Sequence, residues 1–412
     1  MSTAADTPTE ADPERVASAL ATAEFVRLYP RPTGDALAAA GLLARALDAR
    51  ATPFQVRATR ESAVPDGDGS ALALGWTAPN ATGIAPGSRP VSVVAAAVVD
   101  ALDVQPDPIV GLAGVVAAGT VPGENGSGSL LEEAERRGVV DRRPGVAVPT
   151  ADLADGLAHS TRIWTPYSGD VEAAGALLAD LGIGSDADRP DEVGDDDRRR
   201  LASAVALDAT ADAPDRAVSA VERALRPYET PTGPFATLGG HADVLDALAR
   251  ERPGLGVAVA LGADVTDAAL STWRDHAASV HEALADPTTG RYDGAFVARV
   301  EASPADAPAL ATAARLVRDY ASPEPVALVV SDDAAAAAGD GTTDVTAALR
   351  AGVEATAAGD VDESTDSGET GSDGMDPDEQ PIDVVGDDRL GEARFDGGDV
   401  QAFIGAFREV LR

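Results

Sequence analysis

The sequence predicts an α/β protein with a parallel sheet in its first part and a second, smaller α/β domain after it. Three observations carry this expectation. From Phe25 to Thr59 the chain runs strand, loop, alanine-rich helix, strand, the βαβ order that requires parallel strands. Runs of β type and helical type keep alternating beyond it. Between Arg226 and Pro234 three prolines break the helical pattern, which makes this the best candidate for a hinge, and a second alternating stretch follows.

In order, Glu10 to Glu24 reads as a helix and Phe25 to Tyr29 as a short strand stopped by Pro30 and Pro32. Asp35 to Ala49 reads as a helix packed on that strand, and Phe54 to Thr59 as the next strand. Ala71 to Gly75 is expected as a buried strand. Val91 to Leu102 is a valine-rich helix that only tertiary context can favour. The apolar run Ile109 to Ala118 precedes a glycine-rich loop, Gly119 to Ser129, and a charged helix, Leu130 to Arg137. Gly145 to Val148 is expected as a strand with a helical stretch after it. Asp186 to Asp197 is expected as an acidic crossover before a helix near Arg198.

For the second domain the expected strands are Gly256 to Leu261, Tyr292 to Val300 and Pro325 to Val330. The expected helices are His241 to Arg250, Asp267 to Leu284 and Pro304 to Tyr320. Gly359 to Asp388 is rich in Asp, Glu, Ser and Gly and is expected to be disordered. A strand, Ala393 to Phe395, and a helix, Val400 to Leu411, complete the pattern.

Charge and missing residue types narrow the chemistry. The formal charge is −37, from 69 acidic and 32 basic residues. Such self-repulsion is tolerable where roughly molar salt shortens the Debye length to about 3 Å. That predicts a halophilic, archaeal cytoplasm. The sequence contains no lysine, which excludes a Walker-A lysine, a Schiff base and a lysine general base. It contains no cysteine either, which excludes a thiol nucleophile, a disulfide and a cysteine-ligated metal. Met1 to Pro13 lacks the features of a signal peptide, and no apolar run approaches the roughly 18 residues of a membrane span.

Several local patterns are read as structural. The acidic crossover lacks EF-hand spacing. The loop Gly123 to Ser129 precedes a helix N-terminus, where backbone amides could hold an anion, but is expected to be a surface connection. Gly254 and Gly256 lie before their expected strand rather than after one, so no dinucleotide fingerprint is formed. The four histidines, His159, His241, His276 and His281, have uninformative spacing, and local capping accounts best for Asp155, His159 and Ser160. The three tryptophans, Trp76, Trp164 and Trp273, form no interleaved basic–aromatic stripe.

At Val26 to Leu47 (VRLYPRPTGDALAAAGLLARAL) the strand, acidic loop and alanine-rich helix resemble the first motif of RecJ-like phosphoesterases of the DHH superfamily. That motif carries DADG or DHDG; here the four residues are Thr33, Gly34, Asp35 and Ala36. Looser similarity continues through Leu112 to Gly119, Gly145 to Ser160, Gly233 to Gly262 and Phe395 to Leu411. The resemblance implies an N-terminal tail and helix over 1–24 and a parallel-sheet DHH-like α/β domain over 25–226. A smaller DHHA1-like α/β domain would span 227–412, with the acidic insert at about 359–388.

Active members of that superfamily hold two Mn2+ or Mg2+ ions with clustered aspartates and histidine. No Asp-His-His tripeptide occurs here. Asp35 is the one carboxylate of the first motif that remains, and an acidic N-cap of its own helix is the reading preferred over a weak metal ligand. Gly239, Gly240 and His241 look like the family's glycine-rich nucleic-acid-binding turn, at the other end of the domain. The resemblance therefore implies a catalytically degenerate scaffold of DNA replication or repair, with GINS as partner and no cofactor. The alternatives are an active Mn- or Mg-dependent single-stranded DNA exonuclease, using Asp35 with Asp100, Asp152 or Asp155, and a small-phosphoester hydrolase.

Overall fold

The computed structural model describes residues 11–184, 193–225, 227–302, 307–363, 383–395 and 398–412. The chain folds into two compact units. The first comprises Met1–Ser160, Asp170–Val205 and Glu222–His276, the second Thr161–Gly169, Ala206–Val221 and Ala277–Arg412.

The first unit opens with α1 (Pro13–Ala21), begun by the Asp12 carboxylate on the Glu14 amide and by proline at its first position. Then come β1 (Val26–Pro30), α2 (Gly34–Ala49), β2 (Phe54–Val56), β3 (Ser70–Leu74), β4 (Thr82–Ile84), α3 (Val91–Ala101) and α4 (Pro108–Ala117). The four strands are all parallel, in the order β2-β1-β3-β4. From β1 the chain goes to β2 on one side, and β3 then pairs on the other. The order therefore reverses between β1 and β3, where open α/β sheets place their ligands at the carboxyl ends of the strands.

Alternation along β1 sorts its side chains. Val26 and Leu28, with Leu72 and Leu74 of β3, enter the main core with α1 to α4. Tyr29, Ala71 and Ala73 face the other way and pack on Val64 and Trp76. α3 is valine-rich, and burial of most of its residues overrides its weak intrinsic preference.

The rest of this unit contains α5 (Gly128–Arg136), β5 (Asp141–Arg142), α6 (Leu153–Ala158), α7 (Val171–Asp180), α8 (Asp195–Thr210), α9 (Arg216–Ala224), β6 (Tyr228–Glu229), α10 (Leu238–Glu251), α11 (Pro253–Ala260) and α12 (Thr266–Ala283). Helices α8, α9 and α12 are each divided between the two units. α10 packs on α2 and α4, and α11 packs on α2, so the boundary expected between 226 and 227 falls inside the first unit.

Two expected strands are not strands. Gly145 to Val148 makes one isolated bridge, Val146 to Leu225. Gly256 to Leu261 lies mostly in α11, which starts at Pro253. Contact with α2 explains the helix: a Cβ on Gly256 would stand 2.6 Å from Leu37 Cδ1, and one on Gly41 2.4 Å from Ala260 Cβ. The glycines let the two helices touch closely, a geometry a strand cannot offer.

The second unit carries a six-stranded sheet in the order β11-β12-β10-β9-β8-β7. Its elements are β7 (Thr288–Tyr292), β8 (Ala295–Arg299), α13 (Ala307–Leu316), β9 (Val326–Val330), β10 (Ala334–Ala338), α14 (Val345–Glu363), β11 (Asp383–Gly386), β12 (Leu390–Arg394) and α15 (Val400–Val410). Only β8 and β9 pair in parallel; the other neighbours are antiparallel. The strand expected over Tyr292 to Val300 is instead the second half of a hairpin, turned at Asp293 and Gly294, the latter at φ +80°. After α13 a π turn, Val317–Ala321, ends the helix expected to run to Tyr320.

The acidic crossover expected over Asp186 to Asp197 lies outside the described residues from 186 to 192, and α8 begins at Asp195. Of the expected disordered stretch, 364–382 lies outside them. Its margins are corrected: 359–363 complete α14, and 383–386 form β11 against β12. Among the described residues no helix is long and apolar enough to cross a membrane.

Candidate functional site

The carboxyl edge of the parallel sheet, where the strand order reverses, gathers Arg31, Thr33, Asp35, Gly75 and Trp76. Arg31 continues the β1–β3 ladder through its amide to Leu74 O (2.9 Å). Gly75 follows β3 at φ +82°, and a Cβ there would stand 3.2 Å from Ala36 Cβ and 3.4 Å from Arg31 Cβ. The positive φ favours glycine there, and a Cβ would make a tight contact with Ala36.

Asp35 does not cap its own helix. Thr33 does so, its hydroxyl accepting the Ala36 amide at 3.4 Å. The Asp246 carboxylate adds a second acceptor, 3.3 Å from the Gly34 amide. Asp35, two positions past the N-cap of α2, turns to α3. Its Oδ2 accepts the Val91 amide at 2.7 Å and its Oδ1 the Ser92 amide at 2.9 Å. α3 starts after Pro90, which offers no capping side chain. Asp35 thus satisfies two orphan amides of a helix 56 residues downstream.

Asp35 is 8% exposed. Burial pushes its pKa up to about 6; hydrogen bonds from Ser92 and Val91 work against that, and neighbouring Asp246 adds to it. The donor set does not fit a two-ion centre. Both Asp35 oxygens are engaged by α3, Thr33 and Ala36 supply no carboxylate, and the described residues contain no group of three or more His, Asp or Glu placed to hold a metal ion.

The other candidate acids lie in separate settings. Asp100 is exposed near the end of α3. Asp152 caps α6 through the Ala154 and Asp155 amides. Asp155 meets Arg274 through two bonds, at 2.8 and 2.9 Å, and His159 Nδ1 at 3.1 Å. Burial alone would raise its pKa, but His159 and Arg274 outweigh burial and hold it well below the usual carboxylate range.

Gly239, Gly240 and His241 form the first turn of α10 and are buried. A Cβ on Gly240 would stand 2.2 Å from Pro149 N, and one on Gly239 2.6 Å from Ala147 Cβ. The two glycines admit the 146–149 segment against the helix. His241 is 1% exposed and packs on Phe235 at 4.9 Å, and neither ring nitrogen is hydrogen-bonded among the described residues. Burial pushes its pKa down to about 4, against a smaller opposing effect of Asp107. His276 is paired with Glu251 at 2.7 Å. The Gly123 loop closes on itself, its amide donating to Ser127 Oγ at 2.9 Å.

Sequence spacing missed the Arg31–Trp76 contact, because 45 residues separate the partners. The Arg31 guanidinium lies 4.2 Å from the Trp76 ring centroid, and Trp76 Nε1 donates to Tyr29 O at 2.8 Å. Arg27, two strand positions from Tyr29, lies 5.9 Å from the Tyr29 ring centroid. Both arginines also hold the 57–69 segment: Arg27 donates to Pro65 O and Gly67 O, Arg31 to Thr59 O and Glu61 O. A cavity of about 440 Å3 lies at the other end of α2, lined by Leu42, Arg45, Val99, Asp107, Ile109 and Arg137.

Comparison with known proteins gives both a fold and a family. Among solved structures, CDC45 from Entamoeba histolytica superposes with a TM-score of 0.59 at 10% identity, covering 94% of this chain and 95% of that one. A manganese-bound exonuclease RecJ aligns over 98% of this chain and 94% of its own, with 12% identity and a TM-score of 0.47. The architecture is a mixed α/β fold with a parallel sheet, similar to that of CDC45. Residues 287–409 match the family described as uncharacterized protein rrnAC1427, C-terminal domain. The Haloarcula marismortui protein of that name is 45% identical over 371 residues, 88% of this chain and 93% of the relative. With that identity over nearly the whole of both chains, the protein belongs to the family of Haloarcula marismortui rrnAC1427.

Proposed function

We propose that the protein is a RecJ-like component of DNA replication or repair that acts by interaction rather than by phosphodiester cleavage, in a salt-rich cytoplasm, with GINS as the candidate partner. The commitment of Asp35 to the α3 amides carries this reading. Two-metal phosphodiester chemistry needs several carboxylates free to hold ions about 3.5–4 Å apart. Here the first-motif acid that remains is a structural cap. The CDC45 likeness supports a replication setting as an analogy of fold, and fold does not by itself carry function.

The test incubates purified protein in molar KCl with Mn2+ and an end-labelled single-stranded oligonucleotide, and in parallel captures GINS from a mixture of purified replication proteins. The expected result is an intact oligonucleotide and retained GINS. Mn2+-dependent shortening that disappears in Asp35→Asn would overturn the reading and restore the exonuclease alternative.

A further inference from the structure

We propose that the cavity at the C-terminal end of α2 binds a small amphipathic carboxylate, with the Arg137 guanidinium taking the acid head and the apolar walls its body. The cavity lies within the first unit, at the opposite end of α2 from Asp35. It stands apart from the reading above, since it needs neither DNA nor a partner protein.

Size and lining point to a small ligand. The volume of about 440 Å3 falls in the range of small-molecule sites, which combine apolar walls with a few placed polar groups. Leu42 of α2, Val99 of α3 and Ile109 of α4 line it and belong to the main core, so this wall is apolar and held by close packing. Val104 and Val139 also line it and are only partly buried. A ligand with an apolar body would cover them.

The charges decide the sign of the ligand. Asp107 is the one carboxylate in the lining, and both its oxygens are committed. Oδ1 accepts the Ile109 and Val110 amides at 2.9 and 3.3 Å, and Oδ2 faces Arg45 at 2.9 Å. A cationic ligand therefore finds no free acid. On the other wall a single carboxylate, Glu133, pairs with both Arg136 and Arg137 and accepts Gln105 Nε2 at 3.2 Å. One acid between two arginines leaves a positive charge over. The Arg136 side chain is 67% exposed and that of Arg137 29%, so Arg137 is the less hydrated, and it is the one that lines the cavity. Two arginines to one acid in the lining reverse the balance of the whole chain, with its 69 acids and 32 bases.

The head group follows from the donors. Glu133 meets Arg137 at Nε, and Nη1 and Nη2 have no hydrogen-bond partner among the described residues. Paired terminal N–H groups match the two oxygens of a carboxylate. A phosphoryl group would turn a further charged oxygen towards the apolar wall, at a cost in desolvation.

Octanoate, octanol and octylamine share one tail and carry three heads. Each is titrated into the full chain in molar KCl and followed by calorimetry. Octanoate should bind saturably and about fivefold or more tighter than octanol, with octylamine no tighter than octanol. Arg137→Gln should weaken octanoate by about tenfold or more and leave octanol unchanged, a split that general damage to the fold would not produce. Ala49→Phe fills the cavity from an exposed position of its lining and should weaken octanoate and octanol alike, by about fivefold or more. Absence of saturable octanoate binding, octanol binding as tight as octanoate, or unchanged octanoate affinity in either variant would overturn the proposal. If Arg137→Gln fails to fold, the wild-type comparison of heads and the Ala49→Phe titration decide it.

Discussion

Neutralising Asp35 should reverse part of the protein's pH response, and the size of the effect follows from its burial. Its pKa of about 6 stands about two units above the ordinary 3.8. At 1.36 kcal/mol per unit, ionised Asp35 costs the fold about 3 kcal/mol relative to the protonated acid. An acid whose pKa is raised on folding contributes stability that is complete below its unfolded pKa and is lost as pH rises through its folded one. The window is therefore about pH 4 to 6, with stability falling as pH increases. Asp35→Asn removes the titration. It also sets an amide NH2 against one of the two backbone donors, which costs about 1–3 kcal/mol at every pH.

The informative quantity is thus the change of the wild-type-minus-variant difference with pH. Denaturant unfolding in molar KCl at roughly pH 4.5 and pH 7.5 should show that difference shrinking by about 2 kcal/mol at the higher pH. A difference constant to within about 0.5 kcal/mol, or an Asp35 carboxyl resonance titrating near the ordinary value, would refute the assigned burial and cap.

His241 should behave in the opposite sense. Its pKa of about 4 lies below the ordinary 6.5, so its contribution to stability is lost as pH falls through that window; His241→Leu, with no unpartnered ring nitrogens, should be roughly 2 kcal/mol less acid-sensitive between pH 7 and pH 5 in thermal or denaturant melts. Gly240→Ala places a Cβ 2.2 Å from Pro149 N and 2.3 Å from Val148 C, both backbone atoms, so it should lose about 3 kcal/mol or fail to fold, as circular dichroism would report. With a formal charge of −37, the unfolding midpoint should rise steadily as KCl increases from about 0.1 to 2 M, where the Debye length falls from about 10 Å to below 3 Å; a midpoint independent of salt would contradict that expectation.

Much of the first sheet was legible because its signals are local. The run FVRLY before two prolines, the Thr-Gly-Asp turn and the alanine–leucine helix each point to the element that forms. α11 was not legible, since GVAVAL is a short apolar run that suits a buried strand and a buried helix equally. What decides it is the meeting of Gly256 with Leu37 and of Gly41 with Ala260, a contact between distant segments. β10 and α14 were not among the expected elements. β10 is five alanines, which have low strand preference and no alternation.

The site divides in the same way. Asp35 could be picked out from its motif, and its type suited a helix cap, but the helix it caps is α3 rather than α2. A capping acid can serve any exposed N-terminus within reach, and reach is a property of the folded chain. The Arg31 stack had no local sign at all, because it depends on β1 and β3 being neighbours in the sheet.

The alanine strand has one more consequence. Ala335 and Ala337 lie in the core shared with α14 and α15, α13 also packs against β10, and all five residues of the strand are at most 3% exposed. A layer one methyl thick keeps those helices close to the sheet, and a longer side chain would need space that packed helices do not yield. Substitution there has almost nowhere to go except serine or glycine. Comparison of many relatives should therefore find this strand, so faint in a single sequence, among the positions that drift least, with its narrow composition marking the distance between helix and sheet.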